Sequence, residues 1–244
     1  MNQHRRPDNR AFDELRPVQI VRGFTRVAPG SVLISAGQTR VLCTACVDEA
    51  VPKWMEGKGV GWVTAEYDML PASTGTRRAR DRGGKIDGRT QEIQRLIGRC
   101  LRAITDRAKL GERTIWLDCD VIQADGGTRC AAITGAYVAL VDAISWARQR
   151  GLLVESPLTD SIAAISVGRV AGQTVVDLSY AEDSVAEVDF NVAMTGRGRL
   201  VEAQGSAEGA TFDLDDMVSM VRLAQAGIER LRRFQAEALS ITPG

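Results

Sequence analysis

The chain has 244 residues, is 44% hydrophobic and 25% charged, and balances 31 Lys+Arg against 31 Asp+Glu. That is the composition of a water-soluble globular protein able to bury a sizeable core. No apolar run approaches membrane-spanning length and residues 1–7 lack a signal-peptide core, so the expectation is a cytoplasmic protein with no membrane partner. The one histidine, His4, excludes histidine-based triads and histidine metal sites, and an odd set of five cysteines points to reduced thiols.

Residues 1–17 are polar and basic and read as an N-terminal arm. Residues 18–25, 31–34, 39–47 and 59–66 read as strands, the second and third turned by Ser35-Ala36-Gly37-Gln38. Cys43-Thr44-Ala45-Cys46 matches C-x-x-C, but strand positions three apart face opposite ways, so it reads as core and edge packing. Next comes a Gly-bounded basic loop, residues 74–85, which crowds Arg77, Arg78, Arg80, Arg82 and Lys85 into nine positions. A helix is expected from Gly88 to Ala108 with Asp87 as its cap, then a strand over 114–122 and a helix over 131–146 that is apolar almost all round. The second half reads as strands at 160–167, 173–178, 186–195 and 199–207, closed by an amphipathic helix with Leu214, Met217, Val218, Val221, Ala224, Ile228 and Leu231 on one stripe. Each half runs strands before helices and no Pro/Ser-rich linker divides them. The reading is one α+β domain over residues 1–244 with a faint internal duplication.

Four features could carry chemistry. Gly126-Gly127-Thr128-Arg129 forms a tight strand-to-helix turn, where free N–H groups, the helix dipole and a planar guanidinium favour an anion. On the helix after Asp87, Ile93, Leu96, Ile97, Cys100, Leu101 and Ile104 form an apolar stripe. Arg89 falls on the edge of that stripe and Arg95, Arg99 and Arg102 fall opposite it. An arginine on a buried face needs a counter-charge. Asp125 or Glu92 could supply one internally, and so could an anionic ligand; periodicity leaves both open. Asp189 lies on the polar face of residues 186–192, and Asp183 in the preceding turn can fold back towards it. Two such carboxylates can hold magnesium or manganese, or share a proton, though polar strand faces commonly hold aspartates for no chemical reason. Finally, 27 of the 31 basic residues are arginine, and residues 1–100 carry 17 Lys+Arg against 11 Asp+Glu. That bias suits RNA or nucleotide phosphates, and the 74–85 loop could grip an RNA backbone, a neighbouring subunit or solvent.

In order along almost the whole chain, these stretches resemble the ribonuclease PH family, phosphate-dependent 3′-exoribonucleases that are also tRNA nucleotidyltransferases. The matching elements are Arg10 with Glu14-Leu15-Arg16-Pro17-Val18, residues 64–71 and 88–99, residues 123–136, Asp177-Leu178 through Glu182-Asp183-Ser184 to Asp189, Met194-Thr195-Gly196 and residues 202–209. The resemblance implies two β-α-β-α repeats with mixed sheets packed on helices, assembled as a homo-hexamer, a trimer of dimers. It implies inorganic phosphate as co-substrate, bound by Arg89, Gly127, Thr128 and Arg129. Catalysis falls to Asp183 and Asp189 with Mg2+ or Mn2+, and RNA, including tRNA precursor 3′ ends, to the loop arginines Arg77, Arg78, Arg80 and Arg82. Arg95 and Arg99, on the solvated or partner-facing side of their helix, are further candidates for RNA. Two positions depart from the family pattern: Asn9 stands where glycine is common, and Cys130 where a small hydroxyl residue is common. The alternative is a non-catalytic, RNA-threading subunit of an exosome-like ring, which would be expected to lose part of the set Arg89, Gly127–Arg129, Asp183 and Asp189.

Overall fold

The computed structural model describes residues 6–80, 87–209 and 211–241. The first alternating stretches form β1 (Val18–Arg22), β2 (Gly30–Ala36) and β3 (Thr39–Asp48), antiparallel neighbours joined through the predicted turn at Gly37. β4 (Trp62–Met69) leads through α1 (Gly88–Ala103) and α2 (Arg107–Leu110) to β5 (Thr114–Gln123), which lies parallel to β4 and antiparallel to β3. The first sheet therefore runs β1-β2-β3-β5-β4. After α3 (Thr128–Gln149), the second half supplies β6 (Ile162–Val170), β7 (Gln173–Val176), the short α4 (Tyr180–Asp183), β8 (Val188–Thr195) and β9 (Leu200–Ala207). These strands form an antiparallel sheet in the order β7-β6-β8-β9, and α5 (Leu214–Ser240) closes the described chain.

Layering follows from which faces are apolar. α3 packs against β2, β3 and β5 on one side and β6 on the other, and this is why its sequence is apolar all round. β6 is buried on both faces: Ile162 and Ala164 join the core around α3, while Ala163, Ile165 and Val167 join a second core under α5. A strand covered on both faces reads as a near-continuous apolar run. The α+β class with two sheets packed on helices is as expected.

Three expectations need correction. By length and composition α3 does pass as a membrane span, with mean hydropathy 1.5, but 78% of that window is buried inside the fold. The helix expected to reach Ala108 stops at Ala103. Thr105 Oγ1 donates back to the Leu101 carbonyl, and Asp106 starts α2 by accepting from the N–H groups of Ala108 and Lys109. Lastly, the described part of the N-terminal arm, residues 6–17, is a strap pinned across the second half. Arg6 is 3% exposed and Arg16 4% exposed. The physical reason is counter-charge: arginines in this segment find the carboxylates and carbonyls of the corner between β7 and α4.

Candidate active site

The strand β5 ends at Gln123 and α3 begins at Thr128, so residues 124–127 make the turn between them. Gly126 and Gly127 both adopt left-handed angles, φ 75° and 63°, which L side chains rarely adopt. Gly126 is also in close contact: a Cβ there would meet the Leu178 carbonyl oxygen at 2.5 Å. The amides at the start of α3 open into a cavity of about 320 Å³ lined from both halves of the chain.

Each predicted phosphate residue reaches that cavity. Thr128 Oγ1 accepts a hydrogen bond from the Tyr67 hydroxyl at 2.9 Å, which leaves the Thr128 O–H free to donate outward. Arg129 is oriented by Glu92 Oε1 at 3.3 Å and Gln204 Oε1 at 3.1 Å. Arg89 differs from its expected place. It is exposed, in the first turn of α1, and makes no hydrogen bond or ion pair among the described residues. The apolar stripe of α1 runs on the same face, but the core ends before this turn, so the face opens into the cavity. Glu92 pairs with Arg129 and Asp125 lies 4.0 Å from Arg16; neither neutralises Arg89.

Opposite these cations stand Asp183, at the end of α4, and Asp189, on β8, both lining the cavity. Burial raises both carboxyls above their ordinary range, and for Asp189 the charge of Asp183 adds to the rise; Arg89 and Arg129 oppose it in both. Asn191 Nδ2 donates to Asp189 Oδ1 at 3.3 Å, and the Cys130 thiol donates to Asn191 Oδ1 at 3.3 Å. Cys130 thus contacts Asn191, and burial raises its thiol out of reach of ionisation at neutral pH. Asn9 takes a left-handed φ of 62°, so the turn survives the glycine-to-asparagine departure.

The remaining predicted residues spread out. Arg78 lines the cavity, held by Met69 Sδ at 3.1 Å and lying 3.8 Å from Asp87. Arg77 and Arg80 are exposed and do not line it, and Arg82 lies outside the described residues. Arg95 is exposed. Arg99 pairs with Glu202 on β9 at 2.6 Å, and Arg102, expected opposite the stripe, is half-buried with Nη1 on the Val63 carbonyl at 2.8 Å. Among the described residues, no group of three or more His, Cys, Asp or Glu could hold a metal.

Sequence reasoning missed the layer behind the cavity. Arg6 Nε and Nη2 bind the Glu182 carboxylate at 2.6 and 2.9 Å, and Arg10 Nη1 and Nη2 each reach the Asp177 carbonyl at 3.1 Å. Glu182 in turn accepts from the Ser179 N–H at 2.9 Å and completes the capping box of α4, the helix that carries Asp183.

Residues 14–144 match the 3′ exoribonuclease family, domain 1, and residues 160–227 match domain 2 of the same family. Ribonuclease PH of Methylobacterium radiotolerans is 56% identical over 236 residues, 96% of this chain and all of that one. Ribonuclease PH of Saccharopolyspora erythraea is 59% identical over 237 residues, covering 96% of this chain and 94% of its own. The chain belongs to the ribonuclease PH family. Solved structures share the fold at much lower identity. Rice (Oryza sativa) Rrp46 has a TM-score of 0.79 and 21% identity, over 97% of this chain and 100% of that one. A chain of the Archaeoglobus fulgidus exosome with RNA bound to the active site has a TM-score of 0.80 and 22% identity, over 94% and 92%.

Proposed function

We infer that the cavity is the active site of a phosphate-dependent 3′-to-5′ exoribonuclease, and that the two halves of the chain work as one unit because both line it. The observation that carries this reading is the meeting of Arg89, unpaired among the described residues, a second oriented arginine and the amide end of α3 with a pair of aspartates whose carboxyls burial raises. Phosphorolysis uses phosphate as nucleophile, already anionic at neutral pH, so no activating histidine is needed. What the chemistry requires is that two anions be brought together and their repulsion neutralised. Arg89, Arg129, the Thr128 hydroxyl and the Gly127–Arg129 amides hold and orient the attacking phosphate. Two charge-assisted contacts at about 1.5–3 kcal/mol each and about 1 kcal/mol from the helix end give a gross of roughly 4–7 kcal/mol. Association costs reduce that to a weak site, filled at about millimolar phosphate.

To Asp183 and Asp189, whose carboxyls burial raises, we assign the proton given to the departing 3′ oxygen. The same two carboxylates fit Mg2+ or Mn2+, which commonly takes one or two carboxylates and completes its shell with water and substrate phosphate oxygens. When bound there, the ion supplies charge neutralisation of the scissile phosphodiester. The products are a nucleoside diphosphate and an RNA shorter by one residue, and the reverse reaction adds a nucleotide from a nucleoside diphosphate.

The substrates we propose are tRNA precursor 3′ ends and other structured RNA, gripped through the backbone by Arg77, Arg78, Arg80, Arg82, Arg95 and Arg99. The assembly we propose is a homo-hexamer in the cytoplasm. Retention of the whole phosphate and carboxylate set in one cavity favours the enzyme over the non-catalytic ring subunit. Incubating the protein with a 3′-tailed RNA, with and without phosphate, tests this: nucleoside diphosphates released only with phosphate are expected. Monophosphates released without phosphate would overturn it.

A further inference from the structure

Arg16, on the strap, is 4% exposed and sits at the seam between the two halves. Its backbone N–H and Nε donate to Asp177 Oδ2 at 2.7 and 3.1 Å, and Nη2 donates to Asp177 Oδ1 at 2.7 Å. Nη1 donates to the Asp125 carbonyl oxygen, inside the turn before α3. The guanidinium lies against the N-cap of α3, since a Cβ added to Gly127 would meet Nη2 at 3.1 Å. On the other side of the fork, Asp177 adopts a left-handed φ of 56°, an angle aspartate tolerates better than most side chains and one that its own contacts hold. Its N–H donates to the Ser166 carbonyl at 2.7 Å, and the Leu178 N–H donates to Ser166 Oγ at 3.1 Å. One residue further on, Ser179 caps α4 and sets out Asp183. The turn and the corner also meet directly, through the Tyr180 N–H on Asp125 Oδ1 at 3.2 Å.

One planar fork thus binds the loop carrying the phosphate donors and the loop carrying an acidic residue. We propose that Arg16 is a positioning residue: it fixes the spacing between the Gly127–Arg129 turn and the Asp183–Asp189 pair, so that phosphate and scissile bond are held in register. The proposal rests on the phosphorolytic reading of the cavity. It explains why arginine stands there. A lysine keeps the charge but cannot grip a carboxylate in two places and a carbonyl on a third side at once. Arg22 is a matched control. It grips Asp142 with Nε at 3.0 Å and the Ala238 carbonyl with Nη1 at 3.1 Å, and neither it nor these partners line the cavity.

The test compares wild type, Arg16→Lys and Arg22→Lys in steady-state phosphorolysis of a 3′-tailed RNA over a range of phosphate, beside thermal melts with added inorganic phosphate. Arg16→Lys is expected to lose about tenfold to a hundredfold in kcat/KM for phosphate, with KM for RNA within twofold and a smaller phosphate-induced rise in Tm. Arg22→Lys is expected to lower Tm while kcat/KM for phosphate stays within twofold of wild type. If Arg16→Lys does not fold, Asp177→Asn, which keeps the shape and removes the charge pair, must show the same split. A folded Arg16→Lys or Asp177→Asn with kcat, KM and the phosphate-induced Tm shift all within twofold of wild type overturns the proposal. So do losses no larger than those of Arg22→Lys. Failure of the underlying reading looks different: wild type itself then releases no nucleoside diphosphate, while the phosphate-induced Tm shift still reports on Arg16.

Discussion

Two clusters built from the same residue types lie back to back around α4, and they are finished differently. Behind the helix, Arg6, Arg10 and Arg16 face Asp177 and Glu182, and the fit is closed: side-chain exposures are 2% on both sides of the Arg6–Glu182 pair and 4% and 10% for Arg16–Asp177. In front, Arg89 is unpaired among the described residues, and Asp183 and Asp189 face each other. The adjacent residues Glu182 and Asp183 show the contrast within one peptide bond. Burial alone would raise the Glu182 carboxyl, but the Arg6 hydrogen bonds and the Ser179 N–H outweigh it and hold it below the ordinary range. Burial raises Asp183, and nearby arginines only partly offset it. A closed cluster holds the fold; an open one, left short of partners, is ready for a ligand.

The largest effect expected from breaking this contrast is on the acidic pair. Asp183→Asn or Asp189→Asn should lower kcat by about a hundredfold to ten-thousandfold. The same substitution should stabilise the fold near neutral pH. Both folded-state carboxyls are raised, so their ionisation opposes folding: stability is lost as pH rises from the ordinary carboxylate range through the raised values. Melts in chelator are expected to show Asp189→Asn above wild type at pH 7–8, with the difference vanishing below about pH 4, where both proteins are uncharged at this site. A lower Tm for the variant at pH 8 would mean that the pair is held by partners as complete as those behind it.

The closed cluster should answer in the opposite way. Arg6→Ala leaves Glu182 buried without its main partner and is expected to cost about 3–5 kcal/mol in urea unfolding. Because the Glu182 carboxyl is lowered, its contribution is present above the ordinary carboxylate range and lost as pH falls through its folded value. The variant's deficit should therefore shrink in acid. Arg89→Ala, by contrast, should leave Tm unchanged and raise KM for phosphate about 10- to 150-fold, the loss of one charge-assisted contact, while RNA binding stays largely intact. Equal losses of phosphate and RNA binding would make Arg89 a structural arginine after all.

The two clusters were unequally legible before the fold was known. The Gly126–Arg129 turn and the polar face bearing Asp189 are local patterns, a glycine pair before an apolar helix and a period-two alternation, so residue order alone exposes them. Arg89 was half legible. Helical periodicity shows which face a residue shares, but not how far along the axis the core extends, and here the core ends one turn short. The strap was not legible, because Arg6 and Arg16 meet partners 176 and 161 positions away. A basic segment has the same composition whether it waves in solvent or is pinned by distant carboxylates.

The smallest expected effect tests the contrast in miniature on α1, where Arg95 and Arg99 stand one turn apart. Arg99 is half-closed by Glu202 at 2.6 Å with 53% of its side chain exposed, whereas Arg95 is exposed and makes no ion pair among the described residues. An exposed pair of this kind contributes at most about 1 kcal/mol, so Arg99→Ala should barely change stability. If exposed, unpaired arginines are what hold the RNA backbone, Arg95→Ala should weaken RNA binding at every sequence alike and lower the slope of log affinity against log salt by about 1. Arg99→Ala should change that slope less, because part of its charge already meets a carboxylate. Anisotropy titrations at several salt concentrations read both slopes. Equal slope changes for the two variants would show that RNA draws Arg99 away from Glu202, and that on this helix pairing in the free protein does not decide which arginines bind.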